Sequence, residues 1–162
     1  MVRLFLLTEN TVASAGAKML CGAKYLDTTL PARLVTPRSI RAAITAMKAH
    51  GRTKPMTYLK WTKSKDIREN LSNTLDPRDP FFAAVTRHGA LLTEMRFVRN
   101  QIAHSNSGTR SDFRKVVLQY YGGVKQGVDP GLLLLTDALG SPCVLERYIV
   151  SSRVVVRDLL RA

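Results

Sequence analysis

Leu91, Met95, Val98 and Ile102 recur at intervals of four, three and four residues, which on a helix lays them in one apolar stripe. Such a stripe has to be buried against another element, so this stretch is committed to packing on other helices. The break that opens it is Asp76-Pro77-Arg78-Asp79-Pro80, where Asp79 can cap and Pro80 can take the first helical position. A helix is predicted over 81–104, closed by Ser105-Asn106-Ser107-Gly108.

The other segments carry similar punctuation. Residues 2–24 contain no proline and read as a helix, weakened by Gly16 and Gly22. After Pro31 and Pro37 a short basic helix is expected over 38–49, closed by Gly51. A helix over 58–75 carries Trp61, the only tryptophan, whose expected role is packing rather than stacking on a base. Ser111 is placed to cap a helix over 112–121, stopped by Gly122-Gly123. Residues 132–135 look too short for a helix and read as extended, and Ser141-Pro142 opens the last helix. In that helix Leu145, Tyr148, Ile149, Val155, Val156, Leu159 and Leu160 can face a core. The expectation is one all-α domain over 1–162, a single bundle of about five helices, a length sufficient for one real core.

Charge narrows the partner. The chain has 25 Lys and Arg against 12 Asp and Glu, a net charge of +13, which favours a polyanion, nucleic acid before membrane. The first 60 residues hold ten of the basic groups and only two acidic ones. Cys21 and Cys143 stand far apart in apolar company and read as small core residues in a reducing cytoplasm. The apolar start is cut short by Thr8-Glu9-Asn10. No stretch approaches the ~18 apolar residues of a membrane span. A soluble cytoplasmic protein with no membrane partner is expected.

The chemistry concentrates in Arg99-Asn100-Gln101-Ile102-Ala103-His104. An arginine is always charged and suits a phosphate, and a histidine can trade protons near neutral pH. Each helical residue turns about 100°, so Arg96, Asn100 and His104 share a row while Arg99 and His104 stand about 140° apart. Both can reach one phosphate only if the helix bends near its end or a second copy of the chain completes the site. A plainer reading is also open. A histidine at a helix C-terminus is favoured by the macrodipole alone, and Arg99 can pair with an acid such as Glu94 or Asp112.

The hexapeptide resembles the arginine–polar–(four to six residues)–histidine signature of HEPN domains, and its placement near the end of a long helix before a polar turn and another helix is similar too. The resemblance spans roughly 58–160, and Trp61-Thr62-Lys63-Ser64 and Leu145-Glu146-Arg147-Tyr148 are similar to stretches of uncharacterised bacterial members. It implies a metal-independent endoribonuclease, a toxin or defence effector, built as a homodimer with its cleft at the seam. By the same resemblance Arg99 and His104 are the catalytic pair and Asn100 supports them. The ribose 2′-hydroxyl would attack the adjacent phosphate, the histidine would shuttle protons, and the arginine would hold the growing charge. The implied partners are RNA, a second copy, and an antitoxin or regulatory protein. Members silenced by nucleotidyltransferases often carry a tyrosine two residues past the histidine; here that residue is Asn106, which speaks against such silencing. Some members only bind RNA or dimerise.

Arg96, Arg110, Arg114, Lys60 and Lys63 are the candidate RNA contacts, with Lys65 beside the last two. His50, His88 and His104 share no metal-ligand spacing, and His88 falls beside the core stripe. Neither glycine pair precedes Lys-Ser/Thr, so no phosphate loop, metal or cofactor is expected. A DNA-binding regulator using the 38–49 helix is the rival from another class, without convincing helix-turn-helix spacing.

Overall fold

Asp79 shows how local chemistry and tertiary packing meet in this chain. Its carboxylate is buried, accepts from the Phe81 N–H (3.0 Å) as a helix cap, and also accepts from the Ala32 N–H (2.8 Å) and the Tyr25 hydroxyl. Burial, with Asp79 alongside, pushes that hydroxyl above the usual tyrosine range. The capping residue thus also ties the 25–32 segment to the helix it starts.

In the computed structural model, which describes residues 1–123, 125–137 and 142–161, the helices are α1 (Val2–Leu20), α2 (Ile40–Ala49), α3 (Ser64–Leu71), α4 (Pro80–Arg87), α5 (Gly89–Ala103), α6 (Ser107–Tyr121), α7 (Pro130–Leu135) and α8 (Val144–Leu159). Among the described residues there is no strand, only an isolated bridge between Arg33 and Leu75. The all-α expectation holds, but the described residues form eight helices rather than the expected five or so. α1 stops at Leu20, before Gly22, whose φ of +96° leaves the right-handed helix.

Three differences have clear causes. The helix expected over 81–104 is divided, because His88 leaves helical geometry (φ −93°, ψ 6°) and its Nε2 donates to Asp158 Oδ2 of α8 at 2.9 Å. Gly89, the first residue after the break, lets the start of α3 approach closely: a Cβ there would stand 3.0 Å from the Ser64 Cβ. The helix expected over 58–75 shrinks to α3, since the 57–60 backbone is held elsewhere, Thr57 C=O by Lys48 Nζ (2.9 Å) and Lys60 C=O by Asn70 Nδ2 (2.6 Å). Residues 132–135 are helical rather than extended. Asp129 caps Leu132 N–H at 2.9 Å, Pro130 takes the first turn, and Leu133 is fully buried. Ser141 lies outside the described residues, and α8 begins at Val144.

α1, α5 and α8 run through two apolar clusters. The first gathers Val12 and Leu20 of α1, Met47 of α2, Leu71 of α3, Phe81 and Val85 of α4, and Leu159 of α8. The second gathers Phe5 of α1, Met95 and Val98 of α5, Phe113 and Val117 of α6, Leu133 of α7, and Tyr148 of α8. Leu91, half-buried on the α5 stripe, touches both. Met95 and Val98 are buried as the stripe requires, while Ile102 at its end is exposed. On α8, Tyr148, Val155 and Leu159 are buried, whereas Ile149 is exposed. Trp61 is half-buried against the first cluster, in keeping with a packing role.

Between α5, α6 and α8 lies a buried polar knot. Glu94 Oε1 accepts from the hydroxyls of Tyr120 (2.6 Å) and Tyr148 (2.8 Å), and Oε2 from Gln119 Nε2 (3.2 Å). It fixes the helix carrying the hexapeptide against its two neighbours.

Candidate functional site

The C-terminal turn of α5 and the turn into α6 set the geometry of the hexapeptide. Helix α5 ends at Ala103, so the 140° separation expected on an ideal helix does not apply to His104, which is the C-cap residue with φ −144° and ψ 57°. The helix neither continues nor bends; it stops. The backbone of His104 is pinned on both sides, its N–H donating to Asn100 C=O (2.8 Å) and its C=O accepting from Thr109 Oγ1 (2.9 Å). Thr109 is itself half of a capping box: Asn106 Oδ1 accepts from Thr109 N–H (3.0 Å) and Thr109 Oγ1 from Asn106 N–H (3.1 Å). The cap expected from Ser111 is therefore supplied by Asn106, because the asparagine lies at the turn itself and its side chain reaches the third residue of α6. With the backbone held, the His104 side chain is left exposed.

Arg99 does not pair with Glu94 or Asp112. Glu94 is taken by the tyrosines, and Asp112 accepts from Lys115 Nζ at 2.7 Å. Instead Arg99 Nη1 donates to Asn100 Oδ1 (3.0 Å), and the guanidinium lies over the Phe5 ring, 6.0 Å from its centre. The nearby carboxyl is Glu9, one turn beyond Phe5 on α1. Burial pushes its carboxyl above the ordinary value, and the Arg99 guanidinium pulls it back. Neither Phe5 nor Glu9 is visible as a site residue in the sequence, since each lies some 90 positions from Arg99 and meets it only through α1–α5 packing. Among the described residues, Arg96 Nε and Arg99 Nε are both buried without a hydrogen-bond partner. Arg96 stacks on the Phe97 ring (4.7 Å), whose other cationic neighbour is Lys115 (5.5 Å).

The remaining candidates divide. Arg110 and Arg114, exposed and one turn apart on α6, line an open groove of about 950 Å³ with Gln101, Ser105 and Lys125, together with Ile102 and Phe113. Gln101, Ile102 and Ser105 belong to the hexapeptide and its turn, but Arg99, Asn100 and His104 do not line the groove. Lys60 and Lys63 stand elsewhere, on the segment before α3 beside the first cluster, and are not brought to the hexapeptide. Lys125 also lines the groove, although nothing in its irregular stretch of sequence marks it. Among the described residues no group of three His, Cys, Asp or Glu side chains could hold a metal ion. No helix there is long and apolar enough to cross a membrane, and both cysteines are free.

The arrangement offers an exposed imidazole, a guanidinium held by an amide, and a separate cationic groove. No protein-family model, curated protein or solved structure matches the chain.

Proposed function

We propose that this chain is a metal-independent endoribonuclease of HEPN type, a toxin or defence effector, acting as a homodimer on RNA. The observation that carries the reading is the exposed His104 imidazole at a pinned helix end, five residues from an arginine held by Asn100. In the proposed mechanism His104 takes the proton of the attacking ribose 2′-hydroxyl, or returns one to the leaving 5′-oxygen, while Arg99 holds the charge growing on the phosphoryl oxygens. Asn100 positions Arg99 through its side-chain oxygen. The groove of Arg110, Arg114 and Lys125 carries the adjoining backbone phosphates. A second copy across a twofold axis supplies the facing hexapeptide.

The test is incubation of the purified protein with RNA in EDTA. Fragments ending in 2′,3′-cyclic phosphate support the reading, and intact RNA across several substrates overturns it. The packing of Arg99 over Phe5 favours a second reading, a non-catalytic RNA-binding module, whose mark is salt-sensitive retention of RNA without new fragments.

A further inference from the structure

On the far side of the first cluster, α1, α2 and the 57–61 segment enclose a small groove of about 330 Å³. Ile40 (43 %), Ile44 (40 %) and Tyr58 (61 %) stand exposed on its walls, with Leu59 and Trp61 half-buried behind them. Lys60 Nζ lies 5.4 Å from the centre of the Tyr58 ring. Lys48 lines the groove and is tied to Thr57 C=O, and Arg41 stands two turns before it on the same row of α2. An apolar slot with an exposed aromatic and a cationic rim is unsuited to a cationic or purely apolar ligand. It matches a base with its phosphate: a flat π-surface against the ring and a negative charge at the rim. The volume lies at the small end for a ligand pocket, room for one base rather than for a helix of another protein. The charge agrees, since the first 60 residues hold ten basic and two acidic groups, and one of the two, Glu9, is turned to Arg99.

We propose that this groove is a second, non-catalytic nucleic-acid site that takes one nucleobase of a single strand on Tyr58, with Lys60 and Lys48 at its phosphates. The site stands or falls independently of cleavage at the hexapeptide. Trp61 is the chain's only tryptophan and lines the groove, so it reports occupancy directly.

The experiment titrates the full-length His104→Ala protein, which removes cleavage from the assay, with a short oligouridylate in EDTA while tryptophan emission is followed. Saturable quenching is expected. Tyr58→Ala in the same background should weaken binding by roughly 5–150-fold, the usual cost of losing one stacked base, and Tyr58→Phe should retain it. Lys60→Ala should lower the salt dependence by about 0.7 in the log–log slope. Tyr58 is exposed, so its variants are expected to fold, which circular dichroism checks. Absent quenching, or equal affinity of Tyr58→Ala and its parent, overturns the proposal, as does preferential quenching by an apolar peptide. If His104 proves inert in cleavage while Tyr58 still governs binding, the catalytic reading fails and this one stands.

Discussion

Replacing Tyr148 by Phe should destabilise the wild-type protein and stabilise the Glu94→Ala variant. Glu94 is 7 % exposed and Tyr148 fully buried, and the hydroxyl donates to the carboxylate at 2.8 Å, beside the 2.6 Å bond from Tyr120. A bond to a charged acceptor contributes about 1.5–3 kcal/mol, so Tyr148→Phe alone should cost roughly that much. Glu94→Ala strands both hydroxyls where water does not reach, at ~1–3 kcal/mol each. Removing the Tyr148 hydroxyl then relieves one of those penalties. The two effects have opposite signs, giving an interaction of at least about 2 kcal/mol across the cycle. Urea unfolding followed by circular dichroism at constant pH measures all four proteins. An equal cost of Tyr148→Phe in both backgrounds would refute the view that Glu94 holds α5, α6 and α8 together.

Three further outcomes follow from the geometry. Gly16 lies inside α1, and a Cβ there would meet Leu71 and Trp61 only at ordinary contact distances of 3.4–3.5 Å, so Gly16→Ala should raise stability by about 0.5–1 kcal/mol in thermal unfolding. Asn106→Ala removes the capping box, with an expected loss of about 0.5–2 kcal/mol; an unchanged midpoint would deny its role in pinning the His104 turn. Hydrogen bonding to His88, with Arg87 nearby, holds the Asp158 carboxyl below its usual range. That stability is present above the ordinary carboxylate pKa and is lost as pH falls through the lowered one. The urea midpoint gap between wild type and His88→Ala should therefore narrow toward low pH, and a gap that widens there contradicts the pairing.

What the sequence discloses here is what neighbouring residues decide. Asp79-Pro80 announces α4, and the Leu91–Met95–Val98 spacing points the buried face of α5 correctly, because capping and periodicity are local. The same Asp-Pro signal at 129–130 marks α7, and the leucines after it obscured the cue by resembling a short strand. The division of α4 from α5 was not legible, since it depends on His88 meeting Asp158 seventy residues away. At the candidate site the hexapeptide and the two α6 arginines stand out in the sequence. The surroundings of Arg99 do not: Phe5 and Glu9 reach it only once α1 lies against α5, and Asn100, rather than Glu94 or Asp112, accepts from the guanidinium.

The most direct measurement is cleavage, in EDTA, of an otherwise deoxyribose strand containing a single ribonucleotide, by wild-type protein and by His104→Ala. His104 is exposed, so the variant is expected to fold. The account predicts one cut, on the 3′ side of the ribonucleotide, slowed by about 10²–10⁴-fold in the variant. Cutting at deoxyribose positions, or an equal rate in the two proteins, would contradict it.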